Sequence, residues 1–215
     1  MTVAAVVILA LTLAAWAFIF ALRRPGIWVR SWVAASVLVV VSVVALWRTG
    51  ELGDAVGSTT RMAGLVGVGA GVGWVVATQV GHQVLCRLLP SFIEQVRDLY
   101  AIATDDRRVD VAVALVLMAV AEEFVFRLVV QREFGIVVGV IAYAAVQAVE
   151  RNWALMLAGA ACGAVWGLLY AWQDNLAAPL VAHLIWTSTL TFFWPLRGCD
   201  GHSVPEAAQI AVTDI

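Results

Sequence analysis

Residues 116–130 run Val-Leu-Met-Ala-Val-Ala-Glu-Glu-Phe-Val-Phe-Arg-Leu-Val-Val. Two adjacent carboxylates, Glu122 and Glu123, and one guanidinium, Arg127, stand inside an apolar run of bilayer-crossing length. An ionisable side chain at the bilayer centre costs about 2.5–3.5 kcal/mol on insertion scales, so three of them need a compensating reason. Glu123 and Arg127 are four apart, share a helix face and can pair. Glu122 points about 100° away from Glu123. It must find its partner on another helix or in water. One reading is an ion pair that ties helices together. The other is a polar cavity in which a buried carboxylate moves protons. Glu122, with no local cation, favours the second.

The rest of the chain repeats the apolar pattern. Its 215 residues are 63% hydrophobic and 13% charged, with a mean hydropathy of +0.93. Soluble domains carry about 25% charged residues. A net charge of -2 leaves no basic footprint for a nucleic-acid partner. Seven hydrophobic segments stand out, at roughly 2–22, 27–47, 62–86, 109–131, 135–150, 153–172 and 175–196. Spanning backbone must satisfy its own hydrogen bonds, so each is expected to be helical. The alternation of a membrane barrel is absent. The fold class is all-α: a polytopic transmembrane bundle of about seven helices. Residues 1–197 form one membrane-embedded domain and 198–215 a polar tail. The segment 2–22 has no basic residue before it and is too long for a signal-peptide core, so it reads as a first transmembrane helix.

All 13 basic residues are arginine, a composition that suits a GC-rich bacterial genome. With the N-terminus outside, nine arginines fall inside (23, 24, 30, 87, 97, 107, 108, 151 and 197) and three outside (48, 61 and 132). The positive-inside rule favours that orientation in a plasma membrane, with the C-terminus inside. Residues 90–108 carry apolar side chains at helical spacing among charges, and suggest an amphipathic interfacial helix. Gly67, Gly69, Gly71 and Gly73 crowd the third segment, and Gly159, Gly163 and Gly167 make two G-x-x-x-G steps in the sixth. Both read as packing seams without chemistry, serving internal packing or dimerisation. The three cysteines, at 86, 162 and 199, show no C-x-x-C spacing and no paired framework.

Other groups could line the cavity. Tyr143 and Gln147 are four apart on the fifth segment, and His183 and Thr187 four apart on the seventh. An intramembrane histidine has no partner in lipid and is a functional candidate by default.

This set resembles the CAAX-type intramembrane proteases, also called the CAAX protease and bacteriocin-processing or Abi family. Glu122-Glu123-Phe-Val-Phe-Arg127 is similar to the family's Glu-Glu-x-x-x-Arg motif, and Ala-Pro-Leu-Val-Ala-His183-Leu-Ile-Trp186 to its last motif. Gly163-Ala-Val-Trp-Gly167-Leu-Leu-Tyr170 before it also looks family-like, and the resemblance covers a core of about 109–197. Two positions depart. The second motif, usually Phe-x-x-x-His, is Tyr143-Ala-Ala-Val-Gln147. The last, usually His-x-x-x-Asn or Asp, is His183-Leu-Ile-Trp-Thr187.

The resemblance implies peptide-bond hydrolysis within the membrane. It implies Glu122 as the base that activates water, Glu123 and Arg127 as shaping groups, and His183 as donor to the oxyanion. Gln147 can still orient a water but cannot take up its proton. Thr187 keeps one donor on a shorter arm. The two departures leave open a catalytically degenerate relative that binds rather than cleaves, as a membrane binding or immunity protein. The expected partners are membrane lipids and a peptide or membrane-protein substrate. A divalent metal is possible, with Glu122, Glu123 and His183 as ligands, though zinc-type histidine spacing is absent.

Overall fold

The computed structural model describes residues 2–20, 26–57, 61–101 and 107–196. The tail, Arg23, Arg24 and Arg197 lie outside the described residues. Among those described, every regular element is helical. Helices α1 (Thr2–Phe20), α2 (Ile27–Arg48), α4 (Arg61–Leu88) and α9 (Trp153–Gln173) are each long and apolar enough to cross a membrane. A short α3 (Leu52–Val56) sits in the polar connection after α2. The amphipathic segment is α5 (Pro90–Ala101).

Helix α6 (Arg108–Glu123) continues without a break through a π-helical stretch, Phe124–Gln131, into α7 (Arg132–Phe134). Helix α8 (Ile136–Gln147) ends in a 3-10 turn, and α10 (Ala177–Ser188) in a second π stretch, Thr189–Phe193. Tight turns join the last four segments. Asn152 caps α9 by accepting from Leu155 N at 3.0 Å. Asp174, with φ 45°, turns the chain out of α9, and Asn175 Oδ1 accepts from Ala177 N at 2.7 Å.

Hydrogen bonds sort the connections onto two faces. On one, the Thr2 hydroxyl meets Glu133, Arg132 Nη1 donates to Asp54 O at 3.3 Å, and Leu176 N donates to Val56 O at 3.2 Å. On the other, Trp32 Nε1 donates to Asp110 O at 3.2 Å, and Asn152 Nδ2 donates to Gln95 O at 2.8 Å. There too, the Tyr100 hydroxyl donates to Leu190 O at 2.8 Å. Among the described residues, the chain therefore passes between the faces seven times.

The outward surfaces are apolar. Val33, Val37, Val40 and Val44 form an exposed stripe on α2, and Val68, Val72, Val76 and Val80 one on α4. Water would select polar residues there, whereas lipid does not. Trp47 and Trp172, 68% and 70% exposed at helix ends, sit where interfacial anchors belong.

The glycine seam of α4 is half used. Gly67 and Gly71 lie against α10. A Cβ on Gly67 would stand 2.6 Å from Ala178 O, and one on Gly71 2.9 Å from Ala182 O. Gly69 and Gly73 meet nothing within 4 Å and contribute no contact. Glycines two apart point to different sides of a helix, so only one row can face α10. Gly67→Leu is expected to force α10 away and cost about 1–3 kcal/mol of overpacking. Gly69→Leu is expected to cost far less. Thermal unfolding in detergent separates the two.

Candidate active site

The two carboxylates lie about 21 Å along α6 from Arg108, well below either face. Glu122 is 9% exposed, and Glu123 and Arg127 are fully buried. Immediately after Glu123 the helix widens into π-type hydrogen bonding. Seven consecutive residues there, Val125 through Gln131, are buried on all sides. Such stretches often mark functional sites. Nothing in the apolar pattern announced this one.

Glu123 and Arg127 pair across one turn, Nε to Oε2 3.4 Å, as their spacing suggested. The arginine does more than balance charge. Its Nη1 donates to Gln131 Oε1 at 2.8 Å and to Gly163 O at 3.2 Å, and Gln131 Nε2 donates to Gly167 O at 2.8 Å. Gln131 escaped the sequence reading, although it lies four residues beyond Arg127.

Glu122 finds its partners on other helices. The Tyr143 hydroxyl of α8 donates to its Oε2, and His183 Nε2 of α10 stands 3.7 Å from the same oxygen. The other ring nitrogen, His183 Nδ1, lies 2.8 Å from Glu123 Oε1. One imidazole therefore bridges both carboxylates. A carboxylate only accepts, so a charged Glu123 accepts a hydrogen bond from Nδ1–H, and Nε2 is turned toward Glu122. Trp166 stacks on the ring at 5.6 Å and 19°, and holds its plane. Trp166 was also missed, because an aromatic in an apolar helix carries no signal of its own.

The seam on α9 is a wall of the site, not a bare packing surface. A Cβ on Gly159 would stand 3.0 Å from Gln147 Cγ. One on Gly163 would stand 2.9 Å from Tyr143 Cδ1, and one on Gly167 2.8 Å from Arg127 Nη1. Each glycine makes room for one of the residues singled out in the sequence. The regular spacing was visible, but what it faced was not.

Glu122, Tyr143, Gln147, His183 and Thr187 all line one cavity of about 250 Å³. Glu123 and Arg127 sit behind its wall. The N-terminal helices close it with Trp16, Ile19 and Phe20 of α1 and Trp28 and Ser31 of α2. Trp16 Nε1 donates to Gln147 Oε1 at 3.3 Å, which fixes the amide and leaves its N–H groups free to donate. A second, more apolar cavity of about 530 Å³ adjoins, and both are lined by Trp28, Leu99, Cys162, Trp186 and Thr187. As for a metal, Glu123 spends its oxygens on His183 and Arg127. No group of three or more His, Cys, Asp or Glu arranged for an ion occurs among the described residues.

Residues 106–189 match the family model of type II CAAX prenyl endopeptidases, Rce1-like. Over this segment the chain is similar to the CAAX-protease family. No curated protein and no solved structure matches the chain. The matched segment starts at the foot of α6 and ends just past Thr187, so it contains all seven candidate residues. It leaves out α1 and α2, which supply part of the cavity wall. The family is one of peptide hydrolases acting in membranes on peptide or protein substrates.

Proposed function

We propose that the chain is an intramembrane endopeptidase in which Glu122 activates the water that hydrolyses a peptide bond. The observation that carries this reading is the division of the two carboxylates. Glu122 faces the cavity, whereas Glu123 is sealed behind it by His183 and Arg127. In the proposed step, Glu122 takes a proton as the water oxygen bonds to the scissile carbonyl carbon. The same proton then passes to the leaving nitrogen as the C–N bond breaks. His183, held at Nδ1 by Glu123, donates from Nε2 in its imidazolium form to the developing oxyanion. Glu123 thus orients a histidine much as the acid of a hydrolase triad does. Thr187 and the Gln147 amide border the same space as further donors.

Glu150, Leu155, Trp28 and Leu99 bring the cavity out toward the face where α5 lies. Arg30, Arg87, Arg107, Arg108 and Arg151 lie at or near helix ends on that side, and Arg97 lies within α5. We read it as the cytoplasmic face of a plasma membrane, which puts the N-terminus outside. The substrate bond then enters from the cytoplasm.

The test is cleavage of a fluorescence-quenched prenylated peptide, beside its unprenylated form, by the protein in liposomes. Wild type is expected to cleave, and Gln147→His to cleave faster, because imidazole accepts a proton that the amide cannot. A silent wild type with an active Gln147→His variant would identify a degenerate relative instead.

A further inference from the structure

The Tyr143 hydroxyl is the one atom that separates this side chain from phenylalanine, and it faces Glu122. The ring is already fully occupied. It packs edge-on against Phe126 at 4.8 Å, lies against Gly163, and has the Arg127 guanidinium 5.6 Å from its centroid. Phenylalanine would keep all three contacts. The hydroxyl makes a single directed interaction, with Glu122 Oε2. Gln147, whose carbonyl accepts from Trp16, can hydrogen-bond toward the cavity but cannot take up a water's proton.

We infer that Tyr143 is the positioning residue for Glu122, taking over part of what a histidine at 147 would do. Its O–H holds Oε2, so the Oε1 lone pairs are presented to the water. The tyrosine keeps its own proton throughout. A carboxylate left with its three side-chain torsions unrestrained in a 250 Å³ cavity would spend little of its time so aligned. This inference rests on the proposed role of Glu122.

The liposome assay tests it. Tyr143→Phe is expected to lower kcat about 10–100-fold, the worth of a hydrogen bond to a charged group, with KM within about twofold. Its thermal transition should stay at the wild-type temperature. Adding Gln147→His to Tyr143→Phe should restore turnover. In a Glu122→Asp background, whose shorter carboxylate no longer meets the hydroxyl, Tyr143→Phe should cost almost nothing more. Wild-type turnover in Tyr143→Phe overturns the inference. So does an equal loss in both backgrounds, or loss of the thermal transition along with activity, since the hydroxyl would then be structural. A Glu122→Gln variant that cleaves normally overturns the inference and the proposed function together. A dead Glu122→Gln beside an unaffected Tyr143→Phe overturns the inference alone.

Discussion

Glu122→Gln is expected to reduce cleavage about 10²–10⁴-fold while leaving the protein folded. The substitution changes one atom and removes the base. Tyr143 can still donate to the amide oxygen, so the contact between α6 and α8 persists. The His183–Glu123 and Arg127–Gln131 hydrogen bonds do not involve residue 122 and should survive. Cleavage rate and thermal unfolding, measured on the same detergent-purified sample, therefore part company. Turnover close to wild type in the glutamine variant would place the base elsewhere, and Glu123 could not replace it without leaving Arg127.

The second large effect falls on stability. Arg127→Met is expected to destabilise the protein by about 3–5 kcal/mol, because the buried Glu123 carboxylate loses its guanidinium partner and keeps only His183. Gln131 Oε1 and Gly163 O lose their donor as well. The damage should spread to the chemistry, since Glu123 is the acceptor that orients His183. A Glu123→Gln, Arg127→Met double variant removes both charges together. It should recover much of the stability but little of the activity, because a neutral amide holds the imidazole less firmly. If Arg127→Met unfolds at the wild-type temperature, the pair is not what seals the site.

These predictions separate two roles within one stretch of helix. Glu122 belongs to the cavity, and Glu123 with Arg127 to the frame behind it. The sequence suggested this split from spacing alone: i,i+4 residues face each other, and the neighbour of the first does not. It also placed Tyr143 with Gln147, and His183 with Thr187, each pair on one face. Those inferences rest on local helix geometry, which the chain carries with it wherever the helix goes.

Other features were out of reach because they depend on which helices meet. The glycines at 159, 163 and 167 announced a close approach, but not that Gln147, Tyr143 and Arg127 would fill it. The third-segment glycines showed the same signal, and only Gly67 and Gly71 of that row touch a neighbour. Trp16 lies 131 residues before Gln147, in a helix with no motif at all, yet it fixes the amide. Trp166 is an ordinary aromatic until His183 lies across it.

By itself, the sequence determined the all-α membrane class, because lipid admits only apolar stretches whose backbone bonds itself. It also marked the charged cluster, because charge in an apolar helix is too costly to be incidental. Only the tertiary structure decided that one imidazole would bridge both carboxylates, and that Tyr143 would be the donor to Glu122. The physical reason is directional: a hydrogen bond needs its two atoms within about 3 Å. Helix spacing fixes that distance within a helix, and only packing fixes it between helices.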